Sequence, residues 1–596
     1  MKRVLAAAIA VVLLVVALGA AAPLMVPAGL VREKIAERIE ALTGQPVSIS
    51  GKAAITLHPF VGVEVHGVRV GPAASPLMTA DMVTGRLKLL PLLVGEIEIA
   101  ELRLESPRLN LSVDRAGQAN WSVPHTVVMA AAGDPVPGRV VMHDGLVTYD
   151  DARAGLHETL RVPDISLRWS SASGAASAAG TLEWRGAPVA FDAVVDSPLA
   201  LLTSGSSPVR LSVAADPLKA SFTGTALANG GDLQVEGDAA VRTQSFRQLL
   251  IWLGLPAGDG DTLGEASIAG RLKWARPALS LTDARLILDG NSADGALAAN
   301  FGGPRNVDGA LAFDHLDLTP YLPASLTGPW TKEPLALPLA ALGDLDLRVS
   351  AADLRLGTFD LGRSAATASL RDGKLNLNLG EAQFAGGRIT AALTAETAAG
   401  GLKTTVSGSI DGVAAGSALA ALLGTTEIEG TGSMRFDVAA SGATLDELFA
   451  RATGTGKVTI ADGSLAGLAL DRLAAIDEDP EAMSARDGAT AFTTVACTLA
   501  LADGALATAD LLATGDGFAI SLTGRAALSD GSVAANGALS LTPAGAAASR
   551  VPFVVRGTWW SPIALPDIRR TMNQAVGGGL PAVKIGAAKP LPRPKG

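Results

Sequence analysis

Arg371-Asp372-Gly373-Lys374-Leu375-Asn376-Leu377-Asn378-Leu379 decides the fold class. Asp-Gly between alternating runs is the sequence of a two-residue hairpin turn. Both turn residues need a positive φ, which Asp tolerates and Gly adopts freely. After the turn, Leu375, Leu377 and Leu379 share one face, and Asn376 and Asn378 share the other. That period of two marks a strand with one dry and one wet side. The same punctuation recurs at Asp144-Gly145, Asp289-Gly290, Asp308-Gly309, Asp462-Gly463, Asp503-Gly504 and Asp530-Gly531. Each pair reads as a hairpin turn. No fixed-length repeat accompanies them, which excludes WD40, leucine-rich and hexapeptide arrays.

The alternation is clearest near the N-terminus. Val63 and Val65 alternate with Glu64 and His66; Leu87 and Leu89 flank Lys88; Ile97 and Ile99 flank Glu98. Leu102 and Leu104 flank Arg103, and Leu109, Leu111 and Val113 alternate with Asn110 and Ser112. The phase flips between Ile99 and Leu102, so a bulge is expected near Ala100-Glu101. Pro72, Pro91 and Pro107 punctuate these strands.

Composition agrees. Of 596 residues, 48% are hydrophobic and 18% charged, too apolar for a disordered chain. A single cysteine, Cys497, excludes a disulfide scaffold, and 67 glycines argue against a coiled coil. The net charge of −10 serves solubility, and no basic patch points to nucleic acid. At ~14 residues per strand and turn, the chain holds about 40 strands.

Met1-Lys2-Arg3 precedes the uncharged apolar run Val4–Ala22, about 28 Å long as a helix and enough to cross a bilayer core. Lys2 and Arg3 would hold its start in the cytoplasm. A cleaved signal peptide is the rival, since Ala20-Ala21-Ala22 resembles a cleavage site. The length of the run, Pro23 after the cut and the helix that follows favour a retained anchor. Ala28–Thr43 reads as an amphipathic helix, with Val31, Ile35, Ile39 and Leu42 on one face and Arg32, Glu33, Lys34, Glu37, Arg38 and Glu40 on the other. Gly44 and Pro46 stop it. It either packs on the first strands or lies on a membrane surface or in a groove.

Short helices are expected at Ser245–Leu253 before Gly254, at Ser417–Leu423 before Gly424, at Leu468–Ile476, and from a Thr444 cap to Ala450 with Glu447 completing a capping box. The fold class is therefore mainly β: a transmembrane helix and a short amphipathic helix, then a long antiparallel, curved β-sheet with a few short helices, its apolar face either a closed core or a groove. The divisions are 1–27 (anchor), 28–135 (helix plus sheet), 136–415 (middle β region), 416–576 (β region with helices) and 577–596 (disordered tail).

The chain is not expected to be an enzyme. It has no HExxH, GxSxG or Walker motif, and His58, His66, His125, His143, His157 and His315 lack metal-ligand spacing. No cofactor is expected. Cys497 reads as a small core residue, and Asp477-Glu478-Asp479 as a solvated loop rather than a calcium site.

The ordered set Thr43-Gly44-Gln45-Pro46-Val47, Gly51, His58-Pro59-Phe60-Val61-Gly62-Val63, Leu89-Leu90-Pro91-Leu92-Leu93-Val94-Gly95-Glu96-Ile97, Leu104-Glu105-Ser106-Pro107-Arg108-Leu109-Asn110-Leu111 and Asp114-Arg115-Ala116-Gly117-Gln118-Ala119-Asn120-Trp121 resembles the AsmA family. So do Ser245–Gly254, Gly454-Thr455-Gly456 with Ile460-Ala461-Asp462-Gly463, and Val551-Pro552-Phe553-Val554-Val555-Arg556-Gly557-Thr558-Trp559 with Pro562, Pro566 and Asp567. Pro59, Pro91, Pro107, Gly95, Gly117, Asn120 and Trp121 are the family-motif positions. The resemblance implies an inner-membrane anchor, a periplasmic bulk and envelope work: phospholipid transport toward the outer membrane, or non-enzymatic regulation of protein targeting and assembly there. Expected partners are the membrane, phospholipid and outer-membrane assembly components.

One-sided strands leave one physical question. Their apolar face is either a closed core or an open groove for acyl chains. Candidate groove residues are Val63, Val65, Leu87, Leu89, Ile97, Ile99, Leu102, Leu104, Leu109 and Leu111.

Overall fold

A computed structural model describes residues 44–56, 61–88, 99–121, 138–322, 343–466, 488–542 and 549–567, apart from short gaps inside these stretches, and a few positions within 33–40. The expected anchor, the 468–476 helix, the acidic loop at 477–479 and the tail fall outside the described residues, as do Pro59, Leu89, Pro91, Gly95 and Ile97. Among the described residues no helix is long and apolar enough to cross a membrane. Positions 33, 36, 37 and 40 of the amphipathic segment are helical, with Glu33, Glu37 and Glu40 exposed. Gly44 ends that helix at φ 65, its N–H donating 2.8 Å to the Glu40 carbonyl.

The chain divides into two compact units, Met1–Asp289 and Gly290–Gly596. Among the described residues the first holds fifteen strands and the second sixteen, and the fold is mainly β. Within each unit most strands pair with the next in sequence, with a few pairings that skip one, as where Val47–Ile49 pairs with Gly62–Val70 past Ala53–Thr56. In the first, Gly62–Val70 pairs with Met78–Leu87, and from Arg139–Asp151 onward each strand pairs antiparallel with the next as far as Ala278–Leu288.

Two places depart from an all-antiparallel sheet. Ile99–Glu105 and Arg108–Val113 lie end to end, and both pair parallel with Arg139–Asp151. In the second unit, Asn306–Asp317 pairs parallel with Asp344–Leu356. In each case the connecting segment is far longer than a hairpin turn, which frees the next strand to return in the same direction.

The opening hairpin forms as its sequence predicts. Arg371 pairs with Lys374 around Asp372 at φ 50 and Gly373 at φ 74. Ala502 and Ala505 flank Asp503-Gly504 likewise, with φ 50 and 66. Three other Asp-Gly pairs correct the reading. Asp144-Gly145, Asp308-Gly309 and Asp462-Gly463 lie inside strands. Asp308 and Gly309 continue a regular ladder. Asp144 and Asp462, both at φ 50, make local kinks inside ladders whose register continues on both sides. Gly145 faces Pro107 there, a Cβ in its place lying 3.3 Å from the proline ring.

The expected bulge also forms. Arg86 pairs with Glu101 and Leu87 with Ile99, so Ala100 is the extra residue. Helix Phe246–Trp252 is capped by Ser245, whose Oγ accepts from the Gln248 N–H, and it stops before Gly254 at φ 74. Helix Ala415–Leu423 ends at Gly424, φ 69. Helix Leu445–Ala450 has the expected cap, Thr444 Oγ1 accepting from Glu447 N at 3.1 Å, but Glu447 Oε2 accepts at 3.0 Å from Ala443 N, one residue before the cap, rather than from Thr444 N as a capping box requires. Pro198–Leu202 is a further short helix, opened by Pro198 and without a side-chain cap bond.

Candidate apolar track

The N-terminal candidates divide by burial. Val63, Val65 and Leu104 are 7%, 2% and 4% exposed, inside a cluster with Ala53, Val68, Val70, Ala80 and Val83. Leu87 and Leu102 pack against that cluster. Ile99, Leu109 and Leu111 are half-buried. The first three are therefore covered by protein.

Farther along the first unit the same alternation is less deeply covered. Register places Ile165, Phe191, Val213, Val241, Ile268 and Leu286 on one face, across strands that run from Leu156–Trp169 to Ala278–Leu288. All six are half-buried. A parallel row includes Leu167, Leu211 and Phe222, with Leu211 39% exposed. The opposite face of these strands carries Arg210, Thr223, Asp238 and Arg271 in one row.

The second unit repeats the arrangement. Leu297, Leu347, Leu377, Leu393, Val406 and Val438 share a face through consecutive pairings. Leu377 is 38% exposed and the other five are half-buried. Behind them, Arg348, Thr367, Asn378 and Ser407 lie on the polar face. Full burial in this unit gathers in clusters such as the one around Leu354, Phe384, Val413 and Ala418, where helix Ala415–Leu423 packs.

Aromatic rings on the apolar face lie down on glycines. Phe436 pairs with Gly408, where a Cβ would sit 2.8 Å from the ring. Phe492 with Gly463, Phe518 with Gly515 and Phe553 with Gly537 make the same cross-strand contact. Each ring covers backbone that its glycine leaves bare and keeps a low profile. Composition alone could not reveal this, because the partner is set by register.

The motif residues hold the sheet. Pro107 is fully buried at the kink. Gly117 turns at φ 87 and donates to the Asp114 carbonyl at 3.0 Å. Asn120 covers the edge of Arg108–Val113: its Oδ1 accepts from Ser112 N at 3.0 Å and its Nδ2 donates to the Asn110 carbonyl at 2.7 Å. Trp121, 38% exposed, rests 6.2 Å from the Tyr149 ring.

The titratable groups are dispersed. His66 pairs with Glu64 at 2.7 Å, His143 with Asp164 at 3.2 Å, His315 with Asp353 at 2.8 Å, and His157 with Asp150. The bond to Asp150 raises the His157 pKa. Burial raises that of the Cys497 thiol. Among the described residues no three His, Cys, Asp or Glu side chains gather as a metal site. Two surface hollows, one beside Arg242, Asp283 and Arg285 and one beside Arg348, Thr367 and Asn378, open on the polar face rather than the apolar one.

The arrangement suits binding: long rows of half-covered aliphatic and aromatic side chains, with water-facing charge on the reverse. Comparison with curated proteins gave no match. The family model for the AsmA family matches residues 1–127 and 324–511, more than half of the chain. The protein belongs to the AsmA family.

Proposed function

We propose that this chain is a cell-envelope protein that binds or guides phospholipid through the periplasm toward the outer membrane, anchored in the bacterial inner membrane and catalysing no reaction. The observation that carries the reading is the unbroken, half-exposed apolar row within each unit. An acyl chain laid on such a row gains about 0.8 kcal/mol per methylene removed from water, while a headgroup at the sheet margin stays solvated. Rows of similar side chains offer no single preferred depth, which favours guiding over tight holding. Family membership supports the envelope setting.

Mass spectrometry of lipid that copurifies with the full chain tests this. Phospholipid bound by the wild type and lost in Leu211→Asp with Leu377→Asp, at unchanged circular dichroism, is the expected result. Lipid-free wild type that crosslinks to outer-membrane assembly subunits would instead favour a scaffold role.

A further inference from the structure

In the first unit a short helix bridges one rim of the apolar face. Strands Ala176–Trp184, Ala187–Val195, Ser206–Ala215, Leu218–Asn229 and Asp232–Thr243 are neighbours in that order. The turns at 185–186 and 216–217 and the end of Asp232–Thr243 share a rim. Helix Phe246–Trp252 leaves that last strand and its carboxyl end reaches the first turn. Trp252 Nε1 donates to the Trp184 carbonyl at 3.3 Å, and Arg185 Nη1 donates to the Trp252 carbonyl at 3.3 Å. The two indoles meet edge to face, 4.6 Å apart. Four interstrand spacings are about 19 Å and seven helical residues about 10 Å, so the helix spans about half of that distance and the Trp252 and Arg185 side chains reach across the rest.

Its fastening is polar and aromatic. Glu158, on the neighbouring strand Leu156–Trp169, accepts from Trp184 Nε1 at 2.9 Å and from Arg185 Nη2 at 2.5 Å. The Arg185 guanidinium also sits 5.1 Å from the Trp184 ring centre. Leu249 is the one buried helix residue, at 7% exposed, while Ile251 is 62% exposed. Helix Ala415–Leu423 of the second unit is held differently, with Ala415 and Ala418 buried at 3% and 8%. An isolated helix of seven residues has little stability of its own; Arg247 ties its first turn to the Ala257 and Thr262 carbonyls at 3.1 and 2.9 Å, and Arg185 joins Glu158 to its last turn.

We propose that helix Phe246–Trp252 is a releasable strap across one rim of the acyl track, latched by Arg185 between Glu158 and the Trp252 carbonyl. This rests on the lipid-binding reading above. Opening the latch frees the rim between Trp184 and Thr243 and lets an acyl chain slide onto the face that carries Phe191, Val213 and Val241. Closing it holds the chain there.

The test compares wild type with Arg185→Ala and Glu158→Gln as full chains. Amide exchange across residues 246–253 reads the strap, and uptake of a pyrene-labelled phosphatidylcholine from vesicles reads entry. Both variants are expected to exchange about tenfold faster in 246–253, the loss of roughly one charge-assisted hydrogen bond, with strands Ser206–Ala215 and Leu218–Asn229 still protected, and to take up probe several-fold faster. Unchanged exchange at 246–253 would overturn the latch. Faster exchange with wild-type uptake would overturn the gate while leaving the lipid reading intact. A wild-type chain that takes up no probe would overturn both.

Discussion

Strands Gly62–Val70 and Ser206–Ala215 have the same apolar alternation and opposite fates. In the first, Val63, Val65, Val68 and Val70 are 2–7% exposed within one cluster. In the second, Val209 and Val213 are half-buried and Leu211 is 39% exposed. The difference teaches that a period of two sets which side is dry but not what covers it. Cover is a tertiary property. In the N-terminal cluster, strands Ala53–Thr56, Gly62–Val70, Met78–Leu87 and Ile99–Glu105 contribute residues that bury one another. From Arg139–Asp151 to Ala278–Leu288 each strand pairs with the next, and the row through Phe191, Val213 and Val241 is only half-buried.

The largest expected effect breaks the covered side. Val65→Asp places a charge where 2% of the side chain meets water. It should cost more than about 3 kcal/mol and unfold the N-terminal strands, as urea denaturation would show. Gly408→Val comes next. Its Cβ would meet the Thr390 carbonyl as well as the Phe436 ring. A loss of about 1–3 kcal/mol is expected, and Phe436→Leu in the same chain should recover part of it. Asn120→Ala removes two hydrogen bonds from a strand edge and should cost about 1–2 kcal/mol, with faster amide exchange confined to Arg108–Val113. Leu211→Asp should cost least, under about 1 kcal/mol, because its side chain already meets water. Were Leu211→Asp as damaging as Val65→Asp, the two regions would not differ.

Acidification sharpens the contrast through Glu158. The Arg185 bond first, then the Trp184 indole, holds its carboxyl below the usual range. A carboxylate with a depressed pKa adds stability above its unfolded value, about 4.3, and loses it as pH falls through the folded value. Exchange in 246–253 should therefore rise below about pH 4, before the cluster around Val65 loosens.

Much of the fold was legible in the sequence. The 371–379 hairpin, the Ala100 bulge, the Ser245 and Thr444 caps and the stops at Gly44, Gly254 and Gly424 each depend on residues within one turn or one strand. Less legible were features set at a distance. Asp144-Gly145 and Asp462-Gly463 have a turn's residues but sit at kinks where pairing continues on both sides. Arg185-Gly186 and Ala385-Gly386 take the same positive-φ pair as Asp372-Gly373 without the Asp. The parallel pairings depend on long connections. Groove candidates drawn from the N-terminal alternation included Val63, Val65 and Leu104, which are covered, while equally clear alternation around Leu211 and Leu377 lies in rows that are less deeply covered.

The most direct measurement is photocrosslinking of the full chain with a phospholipid bearing a diazirine in its acyl tail, followed by peptide mapping. The account predicts label on strands Ser206–Ala215, Leu218–Asn229, Lys374–Phe384 and Gly387–Ala398, with Gly62–Val70 unlabelled. Label confined to Gly62–Val70, or a folded chain with no acyl label, would contradict it.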